Sequence, residues 1–377
     1  MPASVIPLIE VLVEVPDFRA ARGRRHSLVA ILALACAAML CGYRSYGAIA
    51  EWGRNYGAPF LAALGFKQAA APCVGTLHFV FRHLDVARLE ACLAQWANQV
   101  LAAQGGEVRP ALATDGKTLR GSQKGGAPGA HLLATVSQRL GLTLGQCAVA
   151  DTSNELTAMK AMLEGLLLTG RIITADALHT QRSFAEAVLA AGGDYVLIAK
   201  ENQPQLCEDI RTLFQEPQVV RETLTQATTI DLAHGRIEVR HLIASSALVG
   251  YTPWPGLQQV FQLERTITIK KTGQRRHEIV YGVTSLLPQQ ADAARLLSLV
   301  RGHWRIENRL HWVRDVTFDE DRSTVRCGST PQVMAALRNT TIALARLAGH
   351  TNIAAACRQY AARPWAALAL LGIHAEN

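Results

Sequence analysis

The sequence predicts an α/β protein with a mixed-sheet core, an all-helical segment before that core and a β-rich insertion within it. Three patterns support this prediction. Apolar residues recur at helical spacing through 1–103, strand-like runs alternate with helical stretches through 108–216, and four more strand-like runs follow in 217–290. Because 49% of the 377 residues are apolar, the chain can bury a sizeable core, and its length favours two or three domains.

The N-terminal segment reads as a small helical bundle, with helices predicted over 6–13, 28–40, 45–52, 76–84 and 86–101. The apolar run at 28–42 is shorter than the roughly 18 residues that span a bilayer, and no small-residue cleavage site follows it. It is therefore predicted to be a buried, Ala-rich helix. Arg22, Arg24 and Arg25 precede it, either as a solvated polar face or as a DNA-binding surface.

The core is predicted to begin after a linker at 104–107. Strands are predicted at 110–114, 131–138, 142–150, 171–175 and 195–199, with helices at 154–168, 180–191 and 204–214. Asp115 and Asp176 each end a short apolar run, so each carboxylate is expected at the end of a strand. An isolated aspartate there is more commonly a turn former or a helix cap.

The insertion is predicted to contain strands at 228–230, 236–244, 259–269 and 277–284, with a basic turn at 270–276. It either covers one face of the core or grips phosphates, and Arg236 fits an ordinary solvent-facing strand position equally well. A long helix over 290–313 then places Glu307, His311 and Arg314 on one face. Trp304 and Trp312 are predicted to be core residues rather than base-stacking platforms. A helix at 331–347 and an apolar tail complete the chain.

Charge and cysteine content narrow the class of protein. A net charge of +8 favours a polyanionic partner. The eight cysteines contain no C-x-x-C pair, which argues against a zinc ribbon or a disulfide framework and predicts a cytoplasmic location.

Three carboxylates in separate contexts are the candidate catalytic residues. Two strand-end aspartates, Asp115 and Asp176, together with the helix residue Glu307, offer the oxygen ligands that hard cations prefer. A pair of such cations about 3.5–4 Å apart supports phosphodiester chemistry. Rival carboxylates stand near Glu307, at Asp315, Asp319, Glu320 and Asp321.

Several motifs resemble those of the DDE-type insertion-sequence transposases that include the H-repeat-associated proteins, relatives of the IS-four group. The matching stretches are PDFRAARGRRH at 16–26, DGKTLRGS at 115–122, TADALHTQ at 174–181, KENQP at 200–204, HGR at 234–236, HWRIEN at 303–308 and DVTFDEDRS at 315–323. They occur in order along nearly the whole chain, which makes the resemblance more specific than any single motif.

The resemblance implies a ribonuclease-H-like catalytic core at 108–216 and 291–350, interrupted by the insertion at 217–290, preceded by a helical domain at 1–103 and followed by a tail at 351–377. It also implies that Asp115, Asp176 and Glu307 bind Mg²⁺ or Mn²⁺ in a DNA transposase. Such an enzyme cuts element ends and joins the 3′-hydroxyl to target DNA, and the resemblance implies a homodimer in the double-stranded DNA complex.

The chain departs from the related group around the glutamate. The Tyr, Arg and Lys positions of that group's pattern hold Val300, His303 and Arg314, so Arg301, Arg305 or His303 would have to substitute in holding the DNA end. Basic residues expected to contact DNA are Lys117, Arg120, Arg22, Arg24, Arg25, Lys200, Arg236, His303, Arg305 and Arg314.

Some interpretations stay open on the sequence alone. Lys117 is as well explained by a solvated turn, and His179 either orients a ligand or is a structural histidine. The functional alternatives are a metal-dependent nuclease without strand transfer, a non-catalytic DNA-binding remnant of a transposon, and a structural or membrane-associated protein built on the 28–42 run.

Overall fold

The computed structural model describes residues 5–22, 24–68, 70–123, 128–149, 155–233 and 235–374. The chain divides into two compact units. The first unit comprises residues 1–106, 116–158 and 306–377, and the second comprises 107–115 and 159–305.

The helices, in chain order, are α1 (Leu8–Val13), α2 (Leu28–Leu40), α3 (Tyr46–Arg54), α4 (Ala58–Ala63), α5 (Val74–His83), α6 (Val86–Gln104), α7 (Glu155–Glu164), α8 (Arg182–Ala190), α9 (Pro204–Gln215), α10 (Pro217–Val220), α11 (Ala293–His303), α12 (Trp312–Val316), α13 (Thr330–Leu347), α14 (Ile353–Ala362) and α15 (Pro364–Leu371). The strands are β1 (Ala111–Thr118), β2 (His131–Ser137), β3 (Thr143–Ala148), β4 (Ile172–Ala175), β5 (Asp194–Ala199), β6 (Thr225–Ala233), β7 (Arg236–Ser245), β8 (Gln259–Ile269) and β9 (Arg275–Thr284).

Helix α2 is the centre of the first unit. Ser27 begins it by accepting a hydrogen bond from the Ala30 amide at 3.1 Å. Nearly every α2 side chain is buried, because α1, α3, α13, α14 and α15 all pack against it. Small alanines permit this close approach from several sides. The predicted buried, Ala-rich helix is thus confirmed, and no helix in the described ranges combines the length and apolar character needed to cross a membrane.

The first unit also contains an antiparallel pair, β2 and β3, beside the final residues of β1. Helices α6 and α13 pack on β3. A half-buried polar cluster ties these elements together: the Gln146 side-chain amide donates to Glu90 Oε1 at 2.7 Å, and Gln332 donates to Glu90 Oε2 at 2.9 Å. Asn339 donates to Gln146 at 2.7 Å.

The second unit is built on a mixed sheet with the strand order β1-β4-β5-β9-β8-β7-β6. Strands β1, β4 and β5 are parallel, whereas β9 runs antiparallel to β5 and starts an antiparallel meander. Helix α11 packs against β4, β5, β6 and β7 and closes an apolar core that includes Ile172, Val196, Phe261, Leu296 and Leu297. Helices α8 and α9 contact β5, β8 and β9.

The structure confirms the α/β class, with a mixed sheet and N-terminal helices. Several details differ from the predictions. Helix α4 was not predicted, β6 is longer than the predicted 228–230, and the predicted 290–313 helix is interrupted by a π-helical turn at Glu307–His311. The four strands of 217–290 continue the sheet of the second unit through β9. The predicted start of α7 at 154 lies outside the described residues.

The polar cluster predicts a pH dependence of stability. Burial raises the pKa of Glu90 to about 7, against the hydrogen bonds from Gln146 and Gln332, which lower it. Between about pH 4.5 and 7 the folded chain therefore retains a proton that the unfolded chain has lost, so stability falls as pH rises through this window, by roughly 3 kcal/mol at most. Urea unfolding at pH 5 and pH 8 measures the fall, and Glu90→Gln should reduce it.

The exposed Glu51 of α3 provides the matched control, since Glu51→Gln should leave the pH dependence of the wild type intact. If the Glu90→Gln and wild-type proteins lose the same stability between the two pH values, the protonation of Glu90 does not control this part of the fold.

Candidate active site

Parallel pairing brings Asp115 and Asp176 to neighbouring positions in the second unit. Thr114 of β1 is the register partner of Ala175 of β4, and each aspartate is the next residue along its strand. Strand β4 ends at Ala175 as predicted, but β1 continues to Thr118, so Asp115 lies within its strand rather than at the end. Both carboxylates are held by stiff, hydrogen-bonded backbone.

Asp176 forms the local hydrogen bonds that are typical of a turn, and its side chain is partly exposed. Its Oδ1 accepts from the Leu178 amide at 3.0 Å and lies 3.0 Å from Nδ1 of buried His179. Burial raises the pKa of Asp176, but the hydrogen bond from His179 and the charges of His179 and His303 outweigh it, so the pKa is lowered overall. Both bonds within the described part of the chain go to Oδ1, which leaves Oδ2 for a cation.

A pocket of about 140 Å³ opens beside Asp176 in the second unit. Its charged lining residues are Asp176, Lys200, Arg265 and Glu278, and Trp304 also lines it. Exposed Lys200 follows β5, the strand next to β4. The predicted basic residue Lys200 is thus a near neighbour of one candidate catalytic carboxylate.

His303 lies mostly buried behind the strands. Its Nδ1 is 3.2 Å from the Thr174 hydroxyl, which donates to the Leu112 carbonyl at 3.1 Å. Because the hydroxyl proton is used on Leu112, the Thr174 oxygen accepts from His303. The hydrogen bonds that link Leu112, Thr174 and His303 therefore fix α11 against β1 and β4, and His303 also lines the pocket beside Asp176.

Glu307 lies in the first unit, on the π-helical turn Glu307–His311. Its carboxylate is exposed and its Oε2 is 3.4 Å from Nδ1 of buried His311. π-Helical turns are rare in proteins, and those that occur are often found at functional sites. The sequence predicts His311 only to share a face with Glu307, although its spacing of four residues also pointed to this contact.

Arg314 does not occupy the site predicted for it. Its side chain is 0% exposed and its guanidinium lies 2.7 Å from Glu320, which also pairs with buried Arg338 at 2.8 Å. Asp319 adopts a left-handed conformation, φ 53°, and leads the chain into this buried position. A side chain without exposed surface cannot contact a phosphate, so Arg314 is removed from the DNA-binding set, and Glu320 is removed from the rivals of Glu307.

Lys117 is also committed to a contact inside the first unit. Its ammonium lies 2.6 Å from Asp315 Oδ2, and the lysine side chain is largely buried. The solvated-turn and phosphate-contact interpretations of Lys117 both assumed an accessible ammonium. The pair instead joins the DGKTLRGS motif to the acidic stretch at 315–323.

Gly121 strengthens the same junction through close backbone approach. A Cβ atom at this position would lie 2.5 Å from the Ser323 carbonyl oxygen and 2.8 Å from that of Glu320. No residue with a side chain fits there without backbone movement, so the glycine in the DGKTLRGS motif allows the 320–323 turn to pack against it.

The remaining predicted DNA-binding residues are exposed: Arg22, Arg24, Arg25, Arg120, Lys200, Arg236 and Arg305. Arg24 is partly occupied, because its guanidinium donates to the carbonyls of Asp17, Arg19 and Ala20. His234 of the HGR motif lies outside the described residues. The prediction that Trp304 and Trp312 are core residues is wrong, since their side chains are 59% and 57% exposed.

Comparison with known families identifies the class of protein. The family model described as "Transposase DDE domain" matches residues 106–344, and the model described as "DDE_Tnp_1-associated" matches residues 9–97. The chain belongs to the DDE transposase family.

Curated relatives extend over most of the chain. Protein YbfL of Escherichia coli K12 is 29% identical over 343 residues, covering 89% of each chain, and the H repeat-associated protein YhhI of the same strain is 28% identical over the same extent. A protein encoded in the dhlA 3′ region of Xanthobacter autotrophicus is 37% identical over 66% of this chain and 85% of its own. A solved piggyBac transposase synaptic complex with hairpin DNA aligns with a TM-score of 0.43 and 11% identity, covering 96% of this chain and 76% of that one.

The buried cluster around Glu320 predicts a large loss of stability on neutralisation. Burial raises the pKa of Glu320, but the charges of Arg314 and Arg338 outweigh it and hold the pKa below its usual range. Glu320→Gln would leave two buried guanidinium groups without a counter-charge, at a cost of about 3–5 kcal/mol. Urea unfolding measures the change. Glu208→Gln, which breaks an exposed pair with Arg211, is the control and should change stability within about 0.5 kcal/mol. Similar small losses for both variants would contradict a structural role for Glu320.

Proposed function

We propose that this DDE-family protein is a DNA transposase that cleaves element ends in a metal-dependent reaction and transfers the freed 3′-hydroxyl to target DNA. Asp115, Asp176 and Glu307 are the proposed catalytic carboxylates. The observation that carries the proposal is the placement of Asp115 and Asp176 next to register partners on adjacent parallel strands, within the residues matched by the DDE domain model.

The donor set fits a divalent cation such as Mg²⁺ or Mn²⁺. All three proposed ligands are carboxylates, the oxygen donors that hard cations select. The lowered pKa of Asp176 keeps its carboxylate charged at neutral pH, and Oδ1 is oriented by Leu178 and His179. When bound, a cation pair would assist deprotonation of the nucleophile and neutralise the charge that develops on the phosphate.

The chemistry proceeds in two displacements at phosphorus. In the first, the oxygen of water bonds to phosphorus as the bond to the 3′-oxygen breaks, which leaves a 3′-hydroxyl on the element and a 5′-phosphate on the flanking DNA. In the second, that 3′-oxygen bonds to a target phosphorus and displaces a target 3′-oxygen. Exposed basic residues on the chain, including Lys200, Arg120 and Arg236, are proposed to hold the phosphodiester backbones, and a homodimer is proposed to hold two ends.

Charge removal at the carboxylates tests the proposed catalysis. Asp115→Asn, Asp176→Asn and Glu307→Gln each remove one ligand charge while nearly preserving volume. Cleavage of DNA fragments that carry the sequences on either side of the coding region should fall by orders of magnitude in Mg²⁺ or Mn²⁺ for each variant. Binding should persist, since it depends mainly on basic contacts to phosphates.

Glu186→Gln, on the exposed face of α8, is the matched carboxylate control and should cleave like the wild type. A variant that still cleaves at nearly the wild-type rate removes its residue from the catalytic set. Cleavage without joined products would indicate a nuclease, and metal-independent binding without any cleavage would indicate a non-catalytic remnant.

The N-terminal basic residues give a separate prediction about affinity. Arg22 and Arg25 are exposed, whereas Arg19 pairs with Asp17 at 2.8 Å and has a structural role. The double variant Arg22→Ala and Arg25→Ala should weaken DNA binding and reduce the slope of log affinity against log salt by about 0.9 for each lost phosphate contact. Fluorescence anisotropy across a salt series measures the slope. The highly exposed Arg322→Ala is the control. An unchanged slope would show that Arg22 and Arg25 do not contact DNA phosphates and belong to an ordinary solvated surface.

A further inference from the structure

A second pocket, in the first unit, has the composition of an anion site. It has a volume of about 500 Å³, and its lining includes Arg139, Arg309, Arg346, Trp312 and His350. Its lining, all within the described part of the chain, includes three arginines and a histidine but no aspartate or glutamate. Positive charge is therefore concentrated in a concave surface without a neighbouring carboxylate in its wall.

Hydrogen bonds to backbone carbonyls help to orient the three arginines. Arg346 donates to the Arg309 carbonyl, Arg309 donates to the Arg139 carbonyl at 3.1 Å, and Arg139 donates to the Gly105 carbonyl at 2.7 Å. A carbonyl acceptor positions a guanidinium group but does not cancel its charge. This chain of hydrogen bonds therefore helps to hold the three guanidinium groups of the pocket in a fixed arrangement.

The charged form of the Arg346 side chain is disfavoured at this position, and a bound anion would stabilise it. Burial, and then the charge of Arg309, lower the pKa of Arg346 to about 10. The group stays protonated at neutral pH, yet its charged form is disfavoured at this position. Its Nε is buried and, among the described residues, has no hydrogen-bond partner. A bound anion would supply both the missing acceptor and the missing counter-charge.

Helix α14 adds to the positive potential. Its first residues, Ile353 and Ala354, line the pocket together with the N-cap residue Asn352. The N-terminus of a helix carries a partial positive charge and free amide donors, which favour anions. Three arginines and a helix N-terminus thus act on the same enclosed volume.

Trp312 gives the pocket an apolar platform. Its indole is 57% exposed, and large exposed aromatic side chains next to basic grooves are the usual stacking surfaces for nucleic acid bases. Trp312 follows directly after the turn Glu307–His311, and Arg309 belongs to that turn. One short stretch of chain therefore carries both the proposed catalytic Glu307 and three lining residues of this pocket, Asn308, Arg309 and Trp312.

We propose that this pocket binds one nucleotide unit of a DNA strand, with its phosphate against Arg139, Arg309 and Arg346 and its base against Trp312. The proposal deepens the proposed function and rests on the protein acting on DNA. A pocket of this size is within the range that accepts a small organic ligand. Because Arg309 shares a turn with Glu307, a strand held here also orders the turn that carries the proposed catalytic glutamate.

Binding measurements on the full chain test the proposal without catalysis. Fluorescein-labelled 30-nucleotide single strands and the matching duplex are titrated in EDTA, so that no cleavage occurs. Trp312→Ala should weaken single-strand binding by roughly 5- to 150-fold, the effect of losing one stacked base, and Trp312→Phe should restore most of it. Arg309→Gln should lower the salt slope by about 0.7 for single strands.

Two variants serve as matched controls. Arg358→Gln removes an exposed arginine of α14 that does not line the pocket, and Trp365→Phe alters another exposed tryptophan of the first unit. Both should bind within about twofold of the wild type. Unchanged affinity and salt slope in the Trp312 and Arg309 variants would overturn the proposal, as would losses of equal size in the two controls.

Hydroxyl-radical footprinting of the wild-type protein tests the same claim without a substitution. Bound DNA should protect Trp312 from oxidation and leave Trp365 unprotected. Equal oxidation of Trp312 with and without DNA would overturn the proposal even if a variant failed to fold.

If the protein binds DNA through the pocket but never cleaves it with Mg²⁺ or Mn²⁺, the proposed catalysis is wrong and the proposed pocket is supported. If it cleaves while Trp312 and Arg309 prove dispensable for binding, the pocket alone fails.

Discussion

The parallel pairing of β1 with β4 is the constraint on which the proposed active site depends. Thr114 lies opposite Ala175, so the backbone hydrogen bonds of the two strands determine where Asp115 and Asp176 emerge. A register shift of one residue would turn either side chain to the other face of the sheet. Thr174 adds a second restraint, because its hydroxyl contacts both the Leu112 carbonyl and His303. Ladder and side-chain bonds together preorganise the two carboxylates before any cation or DNA binds.

The first unit uses buried charge for a different purpose. Lys117 against Asp315 and the tight approach of Gly121 to the 320–323 turn connect the DGKTLRGS motif with the acidic stretch that follows Glu307. Glu320, between Arg314 and Arg338, connects that stretch with α13. Lys117 and Gly121 therefore serve packing, although they belong to the same motif as the proposed catalytic residue Asp115. The acidic rivals of Glu307 include at least two, Asp315 and Glu320, whose charges are already compensated by neighbouring cations.

The sequence predicted the strands well, because buried parallel strands appear as short apolar runs bounded by glycine and charged residues. Strand β8 and helix α2 have the predicted limits. It also predicted that Asp176 directly follows a strand, whereas Asp115 lies inside β1 rather than at its end. It did not predict the π-helical turn, because a single turn with i→i+5 hydrogen bonds changes the apolar spacing over too few residues to be seen in the sequence. Helical-face geometry assumed for 290–313 therefore misassigned Arg314, whose burial depends on Glu320 and on Arg338 in a helix farther along the chain. The exposure of Trp304 and Trp312 was not predicted because large apolar side chains are usually buried. Exposed apolar side chains are instead typical of binding surfaces.

Iron-directed cleavage of the polypeptide would show whether Asp115, Asp176 and Glu307 hold the same cation. Fe²⁺ bound in place of Mg²⁺, with ascorbate and peroxide, generates radicals that cut the backbone only near the metal, and the fragments are mapped by mass spectrometry. If Asp115, Asp176 and Glu307 hold the cation together, cuts should occur close to all three positions, and Asp115→Asn should abolish every one of them. Cuts confined to 115 and 176 without any at 307, or a pattern unchanged in Asp115→Asn, would contradict the account.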